Sequence, residues 1–233
     1  MTTPAIPASP TSGGPVPEAL LKDLAAASRI LVAQGVVDGF GHVSLRHPTA
    51  PNRFLMSRSL APALVTPEDI IEYDLDSQPV NANGRSSFLE RFIHSEIYKA
   101  RPDINSVVHS HSPSVIPFGL VRLKMQAMFH NAAFLAQGVP VFDIREKFGA
   151  TDIVVSTAAK GAALAQVLAD KPVALLRAHG MVAGRTRMGP GGSDAGRRGD
   201  RGCPRRTQEA CPPLQASDRG RPRAPRDRVR QLS

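Results

Sequence analysis

His109 and His111 stand one residue apart in "VVHSHSPSV", residues 107–115, at the end of an apolar run where a polar ring is costly to bury. In a strand, residues i and i+2 project to the same face, so both imidazoles point one way and Ser110 points the other. Pro113 ends the strand just beyond and sets the pair at a strand terminus. Two neutral imidazoles converging from one edge suit a borderline divalent cation such as Zn²⁺, Fe²⁺, Mn²⁺ or Co²⁺. A catalytic site needs a third ligand and an open position. His179 in "LLRAHGMVAGR" is the candidate, because it too lies where an apolar strand breaks into a glycine-containing turn. The alternative is three separately hydrogen-bonded histidines, since H-x-H spacing alone is a weak motif. A bound cation would act as a Lewis acid on a substrate's carbonyl or hydroxyl oxygens, stabilising an enolate or enediolate, while a nearby carboxylate moves the proton.

The elements that must position these residues alternate between helix and strand from residue 17 to 185. "PEALLKDLAAASRILVAQGVV" spaces Leu20, Leu21, Leu24, Ile30 and Leu31 for a helix with one apolar stripe, and Pro17 suits its first turn. "FGHVSLRH", "NRFLMS" and, after the turn signal "VTPEDI", "IIEYDL" read as strands. "SSFLERFIHSEIYKA" offers Ser86 or Ser87 as N-cap, with Phe88, Phe92, Ile93 and Ile97 on one helical face. "INSVVHSH" and "VPVFDI" are further strands, "STAAKGAALAQVLAD" a helix and "PVALLRAHG" a last strand ending in a turn. No internal repeat interrupts this region, so one α/β domain is the economical reading.

The 233 residues suffice for one such domain with a real core, and the 42% hydrophobic content is that of an ordinary soluble chain. No apolar run approaches the ~20 residues of a membrane span, so no membrane partner is expected. The opening "MTTPAIPASPTSGGPVP" lacks a basic start and an apolar core, which reads as a disordered lead (residues 1–16) and a cytoplasmic chain. The net charge of +9 is unevenly placed. From Thr186 onward fall 12 of the 29 basic and 5 of the 20 acidic residues, leaving 17 basic against 15 acidic before it. The near-neutral domain argues against a nucleic-acid partner. Residues 186–233, rich in Arg, Gly and Pro, hold both cysteines (Cys203 and Cys211) and carry no hydrophobic period. They read as a disordered tail, first of all the product of a GC-rich frame shift, which translating the other two frames would test.

From Glu90 to Ser112, "ERFIHSEIYKARPDINSVVHSHS" resembles the class II aldolase/adducin family: glutamate, helix, "RPD" turn, strand and H-x-H in order, with Glu90 nineteen residues before His109. The resemblance covers about residues 17–185. It implies a single three-layer α/β/α domain, one divalent metal ion held by His109, His111 and His179, and Glu90 as catalytic acid/base. It also implies a homotetramer with sites shared between subunits, and one or two amphipathic helices after "HGMV" where this chain shows none. Without it, Glu90 is as readily an ordinary helix-surface glutamate between Arg91 and Glu96. His94, four residues on, either orients it or simply packs.

Departures from the sugar-phosphate members of that family bear on the substrate. "GHVS" places His42 where they typically have Asn, Phe88 and Leu89 replace a Ser pair, and "SRSLAPALV" offers Arg58 where a Ser-Gly turn is expected. An Arg pairs with carboxylate as readily as with phosphate. With His42, Ser44, Arg58 and His130 as substrate-facing residues, the expected activity is decarboxylation of a hydroxylated aromatic or oxo carboxylic acid. The alternatives are retro-aldol cleavage or epimerisation of a sugar phosphate, and a nonenzymatic adducin-like scaffold.

Overall fold

The computed structural model describes residues 10–80 and 82–186, so the tail from Arg187 with both cysteines, and the first nine residues of the lead, lie outside the described residues. Helix α1 (Glu18–Ala33) is followed by strands β1 (His42–Arg46), β2 (Arg53–Ser57), β3 (Ile70–Asp74) and β4 (Pro79–Val80). Helix α2 (Arg91–Ala100) leads into β5 (Ile104–Ser110). Then come β6 (Val141–Phe142), α3 (Ile144–Phe148), α4 (Ala158–Leu168), β7 (Val173–Leu176) and β8 (Gly180–Thr186). The strands form one sheet in the order β4-β3-β2-β1-β5-β8-β7-β6, antiparallel throughout except for the β6–β7 pair. Among the described residues no helix is long and apolar enough to cross a membrane.

Strand alternation sorts the sheet into two packed faces. Val43 and Leu45 of β1, Leu55 of β2 and Val108 of β5 face α1, where they meet Leu20, Leu21, Leu24 and Leu31. Phe54, Met56, Ile71, Tyr73, Val107 and Val182 face the other way and pack with Ile93, Ile97 and Tyr98 of α2 and Leu164 and Leu168 of α4. Helices on both faces give the expected three layers. Each fully buried side chain of this kind stabilises the fold by about 1.5–3 kcal/mol. Helix α4 approaches α2 closely because residue 161 is glycine: a Cβ there would collide with the Phe92 carbonyl.

Several boundaries differ from expectation. Ile30, expected on the apolar stripe of α1, is 60% exposed, and Ala27 takes its place against the sheet. Neither Ser86 nor Ser87 caps α2, which begins at Arg91 with Glu90 as its N-cap residue, and Ser87 instead accepts a hydrogen bond from the Tyr73 hydroxyl (2.9 Å). "VPVFDI" yields only a two-residue strand before α3, whose N-cap Asp143 accepts from the Arg145 amide. Strand β8 was not foreseen. The lead is tied down before residue 17, since Ser12 Oγ and the Gly13 amide donate to Glu72 and Arg53 donates to the Thr11 carbonyl.

Candidate metal centre

His109, one residue before the end of β5, lies on the face that looks toward α2, directly opposite His42 of β1 and Val182 of β8 in the strand register. His111 follows on the same side. His179 sits at the tip of the β7–β8 hairpin, in a three-residue turn closed by the Leu176–Gly180 pair and by the His179 amide bonding to the Leu176 carbonyl (3.1 Å). Ala178 adopts a left-handed conformation (φ 57°) to make that turn, a cost of about 1–2 kcal/mol for a non-glycine residue that aims the next side chain inward. Residue 180 must be glycine: a Cβ there would strike the Ser110 carbonyl and crowd His111, so the hairpin can seat against β5 only without one.

The three rings converge through their Nε2 atoms, His109 to His111 at 2.9 Å and His111 to His179 at 3.1 Å. Glu90 Oε2 lies 3.3 Å from both His109 Nε2 and His179 Nε2, and the four ligand atoms fall within 4.8 Å of one another. The protons of two of these rings are accounted for on the far side. His109 Nδ1 donates to the Met181 carbonyl (3.0 Å), and His111 Nδ1 donates to the carboxylate of Asp38 (3.2 and 3.3 Å). Their Nε2 atoms therefore carry bare lone pairs aimed at each other, an arrangement that repels itself unless a cation lies between. A tetrahedral cation with metal–nitrogen bonds of about 2.0–2.1 Å sets its ligand nitrogens about 3.3–3.4 Å apart, close to the spacing seen. The donor set, three imidazoles and one carboxylate, thus fits a borderline divalent ion, with the carboxylate at the vertex a substrate could take. His179 Nδ1 is buried with no hydrogen-bond partner among the described residues.

Burial alone would raise the carboxyl of Glu90; any positive charge beside it, on His109 and His179 or on a cation among them, pulls it well below the usual carboxylate range. Its other oxygen, Oε1, accepts the Val155 amide at 2.9 Å, which fixes the carboxylate from the far side. Burial, then the neighbouring His109 and His179, push His111 down and favour its neutral form, the one able to bind a cation. Burial would likewise raise Asp38, yet the amides of Phe40 and Gly41 (2.9 Å each) and the His111 ring lower it.

Asp38 escaped the sequence reading. Its only local sign is a turn-forming "DGFG", and 73 residues separate it from the histidine it orients. Such outer partners fix ring orientation and raise ligand basicity, so Asp38→Ala is expected to weaken zinc affinity by about 10–100-fold without unfolding the chain. Competition with a chromophoric chelator measures this; unchanged affinity would show that the contact is incidental.

Around the cluster, the expected substrate-facing residues divide. His42 is beside it, its ring 5.2 Å from that of His109 and 4.6 Å from Phe88. Ser44 is fully buried beneath, where its hydroxyl bonds His94 Nδ1 (2.6 Å) and the Tyr98 hydroxyl (2.8 Å) and faces no ligand. Arg58 gives its Nε to Asp69 (2.6 Å) on the β2–β3 side and is not part of the cluster. His130 is exposed at the start of a short 3₁₀ helix (His130–Leu135), edge-on to Phe129, and is not part of the cluster. His94 does not orient Glu90, for its two nitrogens bond Ser44 and His42. Burial pushes His94 down to about 3 and lowers His42 well below its ordinary value, which favours the neutral form of both rings.

A three-layer sheet domain with a histidine-rich cluster at the strand ends defines the class. Residues 22–188 match the Class II Aldolase and Adducin N-terminal domain, and the chain belongs to that family. Decarboxylase tropJ of Talaromyces stipitatus is 36% identical over 167 residues, covering 66% of this chain and 63% of that protein. The 3,4-dihydroxyphthalate decarboxylase of Arthrobacter keyseri is 32% identical over 173 residues, covering 68% and 66%. The chain thus spans just under two thirds of the length of these relatives. Among solved structures, an aldolase II superfamily protein from Pseudomonas syringae superposes with a TM-score of 0.61 at 23% identity over 72% of this chain and 65% of that one, a likeness of fold.

Proposed function

We propose that the chain is a divalent-metal-dependent carbon–carbon lyase that decarboxylates a hydroxylated aromatic or oxo carboxylic acid. The observation that carries this is the convergence of three imidazole Nε2 atoms and one carboxylate oxygen on a point at the strand ends. A divalent cation held by His109, His111 and His179 would supply Lewis acidity toward substrate oxygens, easing the electron pair left on carbon when the bond to CO₂ breaks. Glu90 then matters as a proton carrier. With Oε1 tied to the Val155 amide, Oε2 is the oxygen that faces the cluster and would hold the proton that replaces the departing carboxyl group on carbon. Phe88, packed on His42, makes this side of the cluster apolar, which suits a planar ring better than a sugar phosphate. The similarity to two decarboxylases supports the same choice. A homo-oligomer belongs to this reading as well; what supports it is the apolar run between β5 and β6, where Leu123, Met128 and Phe129 are 67%, 83% and 62% exposed.

The test is a CO₂-release screen of zinc-, iron-, manganese- and cobalt-loaded protein over hydroxylated aromatic and oxo acids. One CO₂ per acid consumed, lost on chelation and restored by metal, is the expected result. Aldehyde release from sugar phosphates instead would move the assignment to aldol cleavage. No turnover by folded, metal-loaded protein on either class would leave the scaffold reading.

A further inference from the structure

Beneath the cluster, four side chains on two elements form an unbroken buried chain. His42 Nδ1 meets His94 Nε2 at 2.7 Å, His94 Nδ1 meets Ser44 Oγ at 2.6 Å, and Ser44 Oγ meets the Tyr98 hydroxyl at 2.8 Å. All four residues are buried, between 0% and 3% exposed. The geometry follows from periodicity: His42 and Ser44 share a strand face, His94 and Tyr98 share a helix face four residues apart, and the two faces meet.

Counting hydrogens gives the chain a direction. Among the described residues, Ser44 Oγ is the one side-chain partner of the Tyr98 hydroxyl. If Ser44 donated to Tyr98, the buried phenol hydrogen would be left without that acceptor, at a free-energy cost that donation to Ser44 avoids. Tyr98 therefore donates to Ser44. The Ser44 hydroxyl then donates to His94 Nδ1, which makes Nε2 the protonated nitrogen of neutral His94, and Nε2 donates to His42 Nδ1. The only nitrogen left to carry the hydrogen of neutral His42 is its Nε2. That atom has no hydrogen-bond partner among the described residues, and the His42 side chain is 3% exposed. His42 itself lies beside His109 and Phe88.

We propose that Tyr98, Ser44 and His94 are positioning residues that lock His42 in its Nε2–H tautomer, so that it presents a single fixed N–H donor beside the metal ligands to an anionic oxygen of the substrate. The relay fills the role that the sequence assigned to Arg58, whose Nε is committed to Asp69. A neutral N–H held by a buried relay discriminates by geometry, since it donates along one direction and needs no counter-charge. The tautomer stands on the hydrogen-bond chain and on both buried rings being neutral; its use in holding a carboxylate rests on the decarboxylase reading above.

Long-range proton–nitrogen correlation spectra of the full, metal-free chain labelled with nitrogen-15 histidine report the tautomer directly, with His42→Gln assigning the signals. His42 is expected as a single Nε2–H form in the wild type. Ser44→Ala and His94→Leu should give a mixture or the Nδ1–H form, and His94→Gln, whose amide can still donate to His42 Nδ1, should restore it. A mixed or Nδ1–H His42 in the wild type, or an unchanged spectrum in Ser44→Ala, would overturn the relay whatever reaction the protein performs. With a working acid substrate, His94→Leu should raise KM about tenfold or more at unchanged metal content, the size of a lost hydrogen bond to a charged group, and His94→Gln should recover it. Absence of CO₂ release from protein whose tautomer is as expected would sink the decarboxylase reading and leave the relay standing.

Discussion

His109→Ala is expected to abolish stoichiometric metal binding while leaving the chain folded. The ring is fully buried and supplies the nitrogen nearest to that of His111 and in reach of the Glu90 carboxylate, so its loss leaves a gap no neighbour can close. Removal of an outer-shell partner alone costs about 10–100-fold in affinity, and loss of a ligand should exceed the upper end of that range. The fold should survive: an unpaired Met181 carbonyl costs about 1–3 kcal/mol, against a total domain stability of about 5–15 kcal/mol, and the lone-pair repulsion among the rings is relieved. Metal content per chain, read beside circular dichroism, decides it. Retention of one tightly bound equivalent by a folded His109→Ala protein would remove that ring from the ligand set.

Glu90→Gln separates proton transfer from metal holding. The amide oxygen can still accept the Val155 amide, so the local backbone is preserved, while the group loses its ability to carry a proton near neutral pH. Turnover should fall by about 10²–10⁴-fold, the usual contribution of a positioned acid or base, with metal stoichiometry kept. If instead metal is lost to the extent expected of His109→Ala, Glu90 is a permanent ligand, and another group must deliver the proton.

Much of the frame was legible because the hydrophobic pattern is local. Alternation in "GHVSLR", "RFLMS" and "IIEYD" marks β1 to β3 within a residue or two, and the i, i+2 spacing placed His109 and His111 on one face before any register was known. Strand β8 was missed because "GMVAGRT" carries two glycines and no alternation; its strand character comes from pairing with β5 and β7. The start of α2 was misplaced because two serines look like caps, whereas Phe88 is drawn onto the His42 ring and the helix begins only after Glu90. That shift sets the glutamate at the helix entrance, turned toward the cluster. The contacts that tune the site were out of reach for a different reason. Asp38 to His111, and His42 to His94, span 73 and 52 residues and exist only because β1, β5 and α2 are packed together. Arg58 adds a local contact the sequence pattern does not show: its Nε donates to Asp69, eleven residues on.

Anomalous diffraction at the zinc absorption edge, from crystals of the full chain grown with one equivalent of zinc, tests the centre most directly. A single strong peak bonded to Nε2 of His109, His111 and His179 at about 2.0–2.1 Å is the expected result. Zinc bound elsewhere, or a peak that His179 does not reach, would contradict it.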